Sequence, residues 1–201
     1  MLINIPDKSR FGILINGLID ENKETGRILT YSGVGPRLTP TPILVKMSYI
    51  AKRLEHQLFI LYTGGADGAD TAFLAGTQFF KVFLPSRIHG VRTANRQDVF
   101  DCTTLDNWSE ALLTIDKYHP APQCLGPFAR KLMARNSYCV LGEDLQSPVD
   151  FVLTWTPNCA LVGGTAQGLR IAMDYNIPIF NLADERVLAD VLRVLKLNLF
   201  D

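Results

Sequence analysis

Three glycine-containing loops provide the clearest chemistry in this sequence. They read "SGVGPR" after one apolar run, "TGGADGADT" after a second, and "VGGTAQG" before a late helical pattern. Glycine lets backbone N–H groups approach a ligand closely, and N–H groups at the start of a helix attract anions. The three loops together predict an anion-binding site, with phosphate as the expected group.

These loops differ from the common nucleotide motifs. None contains G-x-x-x-x-G-K-[ST], which argues against a P-loop ATPase. None is a complete G-x-G-x-x-G with an acidic residue about 20 positions later, which argues against a nicotinamide-dependent dehydrogenase. Glycine also serves turns and tight packing, so each loop alone has that simpler explanation, and the prediction depends on all three.

Other reactive side chains give weaker indications. Trp155, Tyr31 and Tyr62 fall at predicted strand ends, where they either stack on a base or close the core, and Trp155 beside the third loop is the best candidate. No histidine has a Ser, Cys or Asp partner at triad spacing, and His89 lies in an arginine-containing segment. The four cysteines form no C-x-x-C pair. We expect no metal site and no resident cofactor.

Composition sets broad limits on the function. The 201 residues suit one domain, and 20 Lys plus Arg balance 20 Asp plus Glu. Zero net charge removes the simplest argument for a nucleic-acid or anionic-membrane partner. No uncharged apolar run of about 18 residues is present, and the first ten residues lack the layout of a secretory signal. We expect a soluble, cytoplasmic protein with no membrane partner.

The elements that must position the loops alternate between strand and helix. Short apolar runs predict strands at 27–31, 58–63, 81–85, 150–156 and 177–182. Helical spacing predicts helices at 10–22, 41–57, 107–119 and 126–142, and after the second and third loops.

The segment 86–105 shows no clean period and is expected to be a long connection. Residues 1–26 are interpreted as an N-terminal helical extension and 184–201 as a C-terminal helix. The alternation predicts a Rossmann-like α/β fold, a parallel sheet with helices on both faces. The loops then meet at the carboxyl ends of its strands, where ligands bind.

The motifs "SGVGPR", "GGADGADTAF" and "ARNSYCVLG…PVDFVLTWT…GGTAQGLRIAMDYNIPIFNL" resemble the SLOG superfamily of nucleotide-binding Rossmann-like proteins. That group includes the DNA-processing protein A core, the LOG phosphoribohydrolases, and YspA-like proteins found in phages and bacteria. The resemblance runs from about residue 27 to 183. It implies a nucleotide-like ligand where the loops converge, and a homo-oligomeric protein.

Carried over residue by residue, the resemblance implies several binding residues. In the first two loops they are Ser32, Gly33, Arg37, Gly64, Gly65 and Ala66, with Arg37 a candidate phosphate fork. Arg135 and Asn136 match the Arg-Asn pair before the fourth strand and are expected to hold phosphate and base. Trp155, Gly163, Gly164 and Thr165 complete the set.

Catalysis is where the sequence departs from the family. Asp67 stands where YspA-like sequences show Arg, and Gly168 stands where the LOG motif places the glutamate that assists cleavage of the base–ribose bond. If a hydrolysis takes place, another carboxylate must act, and Asp67, Asp70 and Glu143 are the candidates. Asp70 has the alternative of interacting with a helix dipole.

Three functions remain open at this point. The first is binding of a nucleoside phosphate, with cleavage of its N-glycosidic bond as the reaction if the protein is an enzyme. The second is a non-catalytic sensor or sequestering protein for a nucleotide signal of the ADP-ribose type. The third, disfavoured by the net charge, is single-stranded DNA binding through a local stripe comprising Arg87, Arg92, Arg96, Arg130, Lys131 and Arg135.

Overall fold

Parallel strands form a six-stranded sheet in the computed structural model, which describes residues 9–86 and 97–197. The strands are β1 (Leu29–Val34), β2 (Phe59–Thr63), β3 (Phe80–Leu84), β4 (Val99–Asp101), β5 (Phe151–Thr154) and β6 (Ile179–Asn181). Their order is β4-β3-β2-β1-β5-β6. The direction of winding reverses between β1 and β5, and a crevice is expected outside the carboxyl ends of these two strands.

Helices cover both faces of the sheet, which confirms the predicted fold class. They are α1 (Arg10–Thr25), α2 (Thr41–Glu55), α3 (Ala69–Ala75), α4 (Trp108–Tyr118), α5 (Pro127–Leu141), α6 (Thr165–Asp174) and α7 (Glu185–Val194). Short 3-10 turns lie at Cys102–Thr104, Pro122–Cys124 and Pro157–Cys159. Within residues 9–86 and 97–197, no helix is both long enough and apolar enough to cross a membrane.

Local sequence explains where several helices begin. Ser9 caps α1 by accepting a hydrogen bond from the Gly12 N–H at 3.2 Å, and Asp184 caps α7 through the Arg186 N–H. Pro127 occupies the first position of α5, where no N–H is needed. Helix α2 begins at Thr41 with Pro40 before it, one residue earlier than a Thr41 cap would give.

Strand alternation divides the core into two layers. Tyr31 and Phe151 face α1, α2, α3 and α7, whereas Val34 and Val152 face α4, α5 and α6. Phe11 of α1 is fully buried, and its ring lies 5.7 Å from the ring of Phe151. The described part of the predicted N-terminal extension is therefore integral to the first layer.

Two predicted boundaries need correction. Strand β1 continues to Val34, so "SGV" of the first loop lies inside the strand instead of after it. The expected long connection contains β4, which pairs with β3 at the sheet edge and has only three residues to show a pattern. The remaining residues of that connection, 87–96, lie outside the described part, with Arg87, His89, Arg92 and Arg96.

Candidate functional site

A crevice of about 520 Å³ opens at the point where the strand order reverses. Its lining comes from the loop after β1, the start of α3, the middle of α5, the segment after β5, and the loop that enters α6. This volume falls in the range of small-ligand pockets. We call this cavity the crevice below.

Arg135 is the most unusual charged group in the crevice. It lies in the middle of α5 rather than at a helix end, and its side chain is only 7% exposed. A Cβ atom at Gly64 would lie 1.4 Å from Nη1 and 2.1 Å from Cζ of Arg135. The missing side chain at Gly64 is therefore what allows the guanidinium to lie against the second glycine loop.

The guanidinium of Arg135 is poorly satisfied by the protein. Its Nη1 lies 3.7 Å from Oδ2 of Asp70, too far for a hydrogen bond, and donates only to Sγ of Cys139 at 3.8 Å. Its Nε is buried without a partner. Among the described residues, no oxygen accepts a hydrogen bond from it, although buried N–H groups almost always have an acceptor.

Asp70 joins two of the loops. Its Oδ1 accepts a hydrogen bond from the Gly35 N–H at 3.1 Å, and its Oδ2 accepts one from the Ala66 N–H at 3.3 Å. Burial raises the pKa of Asp70, while Arg135 and the backbone N–H groups act in the opposite direction. Both carboxylate oxygens are thus engaged in holding the loops after β1 and β2.

The neighbouring Cys139 is not suited to nucleophilic attack. This thiol lines the crevice but is 1% exposed. Burial raises the pKa of Cys139 to about 11, against the opposing effect of Arg135. The thiol therefore stays protonated at neutral pH, whereas the thiolate is the reactive form.

Asn136 connects α5 to the third glycine loop. Its Nδ2 donates to the Gly164 carbonyl at 2.9 Å. Gly163 before it has φ of +65°, a conformation that side chains other than glycine rarely adopt. Thr165 is the first residue of α6, and the loop and helix start together form one wall of the crevice.

The segment directly after β5 also lines the crevice, and its position depends on a residue of β6. Half-buried Trp155 and buried Thr156 both line the crevice. The Asn181 side chain accepts hydrogen bonds from the N–H groups of Thr156 and Ala183, both at 3.1 Å, and donates from Nδ2 to Oγ1 of Thr156 at 2.7 Å. Sequence reasoning missed Thr156 and Asn181, because an Asn after an apolar run carries no distinctive signal.

The other predicted site residues divide into three groups. Residues that line the crevice are Arg37, Ala66, Asp70, Arg135, Asn136, Trp155, Gly163, Gly164 and Thr165. Residues buried at the strand ends and outside that lining are Ser32, Gly33, Gly64 and Gly65. Asp67 is exposed and does not line the crevice, so it is not placed to act on a ligand there.

The remaining candidates lie elsewhere. Tyr31 is fully buried in the core, so of its two predicted roles it has that of a core residue and not that of a base-stacking residue. Glu143 forms an ion pair of 3.0 Å with Lys81 in a second cavity that Tyr62 also lines. Gly168, where the LOG motif has glutamate, does line the crevice.

The described residues also bear on two other kinds of site, a metal site and a basic DNA-binding stripe. Over residues 9–86 and 97–197, no group of three His, Cys, Asp or Glu side chains is arranged to hold a metal ion. Arg135 is buried and therefore cannot belong to an exposed basic stripe. Arg130, on the same helix, lies 3.6 Å from Asp116. Of the three described members of the predicted DNA-binding stripe, Arg135 is thus removed, whereas Arg130 is partly exposed and Lys131 is exposed.

Comparisons with family models, curated proteins and solved structures found no match to this chain. The crevice itself is therefore the basis for assigning a function. Its distinguishing features are a buried, poorly satisfied guanidinium, a half-buried tryptophan and mostly apolar walls.

Proposed function

We propose that the crevice binds a nucleoside phosphate or a related nucleotide derivative. The observation that carries the proposal is the guanidinium of Arg135, which is buried, lines the crevice and donates to no oxygen of the described residues. A phosphate or carboxylate oxygen would supply the missing acceptor, and charge-assisted hydrogen bonds of this kind are the strong ones. The exposed Arg37 adds a second positive charge at the mouth.

The rest of the crevice suits the base and ribose. Trp155 offers an aromatic surface on one wall, and Val34, Met133 and Val140 provide apolar contacts. A nucleoside monophosphate fits the volume of about 520 Å³. The resemblance of the glycine loops to the SLOG superfamily supports the same ligand class, and we propose that the chain is a member.

Binding without cleavage is the form of this function that the site favours. Glycosidic cleavage needs a carboxylate free to act on the reacting bond. Asp70, the acidic residue that lines the crevice, accepts a backbone N–H hydrogen bond on each of its oxygens, and Asp67 is exposed and does not line the crevice. Gly168 offers no side chain in place of the glutamate of the LOG motif. These observations support a sensor or sequestering protein over an N-glycosidase.

Isothermal titration calorimetry with AMP, GMP, CMP, UMP and ADP-ribose tests the proposal. We expect at least one of these nucleotides to bind. Arg135→Lys keeps a charge but loses the planar donor fork, so we expect its affinity to fall about tenfold or more. Arg130→Met on the same helix is the matched control and should bind as the wild type does.

The same mixtures, analysed by chromatography for free base, separate binding from cleavage. We expect the nucleotide to be recovered intact. Release of base would support the enzymatic function and would contradict binding alone. Absence of binding to every nucleotide of the panel would overturn the proposed function.

A further inference from the structure

We propose that Thr156 is a specificity-determining residue whose hydroxyl donates a hydrogen bond to an acceptor oxygen or ring nitrogen of the ligand. This inference rests on the proposed function, because it assigns a contact within the same crevice. It begins from the buried side chain of Asn181, at the end of β6. Asn181 donates to the Thr156 hydroxyl and so cannot be the acceptor of its hydrogen.

The orientation of the Asn181 amide follows from its neighbours. Two backbone N–H groups, those of Thr156 and Ala183, lie 3.1 Å from the same side-chain atom. Since backbone N–H groups can only donate, that atom must be the oxygen Oδ1. The nitrogen Nδ2 is thereby directed to Oγ1 of Thr156, 2.7 Å away.

The hydroxyl of Thr156 therefore acts as an acceptor toward Asn181. An amide nitrogen has only hydrogens to offer, so the hydroxyl hydrogen must point elsewhere. Among the described residues, no group accepts a hydrogen bond from this hydroxyl. Thr156 is 1% exposed and lines the crevice, so the crevice is where an acceptor for that hydrogen can enter.

This arrangement selects between ligand groups. A carbonyl, phosphoryl or ring-nitrogen acceptor in contact with Thr156 satisfies the hydroxyl hydrogen. An amino group at the same position could use only the remaining lone pair of Oγ1 and would leave the hydroxyl hydrogen without an acceptor, which is costly in a buried site. The sequence alone does not indicate this selection, because Thr156 and Asn181 are 25 positions apart and form no recognisable motif.

Variants at the two positions test the proposal, using the nucleotide of the panel that the wild-type protein binds most tightly. Thr156→Val removes the hydroxyl at nearly constant volume, and we expect affinity to fall about three- to tenfold. Thr156→Ser restores the hydroxyl and should bind within about twofold of the wild type.

Asn181→Asp tests hydrogen-bond donation by the Thr156 hydroxyl separately from the position of the segment that carries Thr156. Its two carboxylate oxygens can still hold the Thr156 and Ala183 N–H groups, but they also accept the Thr156 hydroxyl hydrogen and so remove it from the ligand. We expect a loss of affinity similar to that of Thr156→Val. Because the new carboxylate also adds charge, the double variant Thr156→Val/Asn181→Asp closes a double-mutant cycle: we expect Asn181→Asp to cost less affinity on the Thr156→Val background, where no hydroxyl hydrogen remains to be captured, than on the wild-type background.

The outcomes distinguish the two proposals. Binding by the wild type together with undiminished binding by Thr156→Val overturns only the assignment of Thr156. The same assignment fails if Asn181→Asp binds as the wild type does, or if the losses of the two single variants are fully additive in the double variant. If the wild type binds no member of the panel, the proposed function fails and this inference fails with it.

Discussion

Replacing Gly64 by alanine should displace Arg135 without straining the backbone. Gly64 does not have the positive φ of Gly65 or Gly68, so the main chain accepts alanine. The new Cβ, however, would lie 1.4 Å from Nη1 of Arg135, whereas ordinary contacts begin at 3.4 Å. The guanidinium must move by about 2 Å, and we expect this movement to lengthen its separation from Asp70.

The cost follows from the ion pair. At an effective dielectric constant of about 20, charges 3.7 Å apart attract by about 4.5 kcal/mol, and lengthening the separation by about 2 Å reduces this to about 3 kcal/mol. We therefore expect Gly64→Ala to lower the free energy of unfolding by about 1.5 kcal/mol. Affinity for the best-bound nucleotide should fall at least about tenfold, because the guanidinium no longer lies where the ligand meets it.

Urea denaturation and calorimetry measure the two effects. We expect the urea midpoint to fall by roughly 0.5–1 M. Gly17→Ala is the matched control: a Cβ there meets no atom within 4 Å, and alanine in an exposed helix should stabilise by about 0.5–1 kcal/mol. An unchanged midpoint together with unchanged affinity in Gly64→Ala would refute the assigned position of Arg135.

Three further predictions concern stability. Tyr31→Phe removes a buried hydroxyl that has no hydrogen-bond partner, so the free energy of unfolding, measured by urea titration, should rise by about 1 kcal/mol. Nucleotide affinity should not change. A lower free energy of unfolding would contradict this prediction. Burial raises the pKa of Asp70, so the folded chain retains a proton at pH values where the unfolded chain, with a pKa near 3.8, has already released it. The free energy of unfolding should therefore fall as the pH rises through the pKa of Asp70 in the folded state. In Asp70→Asn the urea midpoint should not show this decline with pH. If the wild type and the variant instead give parallel profiles of urea midpoint against pH, Asp70 is not the source of the decline. Asp150→Ala removes acceptors for the Thr30 N–H and Arg27 Nη1, both at 2.8 Å, and should cost about 1–3 kcal/mol while sparing nucleotide binding.

The fold was predictable because its signals are local. Continuous apolar runs such as 58–63 identify buried parallel strands, and Pro127 or the Thr41–Pro42 pair identifies a helix start. Strand β4 was not predictable in this way, because three residues at a sheet edge are half buried and show no period. The end of β1 was misplaced since glycine in "SGV" indicates a loop, whereas here it makes room for Leu61 and Phe73.

The candidate site was predictable only in part, for a related reason. Glycine loops are visible in sequence, and they did lead to the crevice. The contact between Gly64 and Arg135 joins positions 71 residues apart, and no local sequence pattern predicts it. The engagement of both Asp70 oxygens likewise depends on the Gly35 N–H in another loop, so sequence alone left Asp70 as a catalytic candidate.

The shared carboxylate of Asp70 also has a consequence for motion. The Gly35 and Ala66 N–H groups bond to the two oxygens of one side chain that is itself buried at the start of α3. The loops after β1 and β2 are therefore mechanically coupled, and neither can swing outward without loosening the other. These two loops lose most of their conformational freedom when the protein folds. This side of the crevice is therefore preorganised, and binding a ligand costs less conformational entropy there.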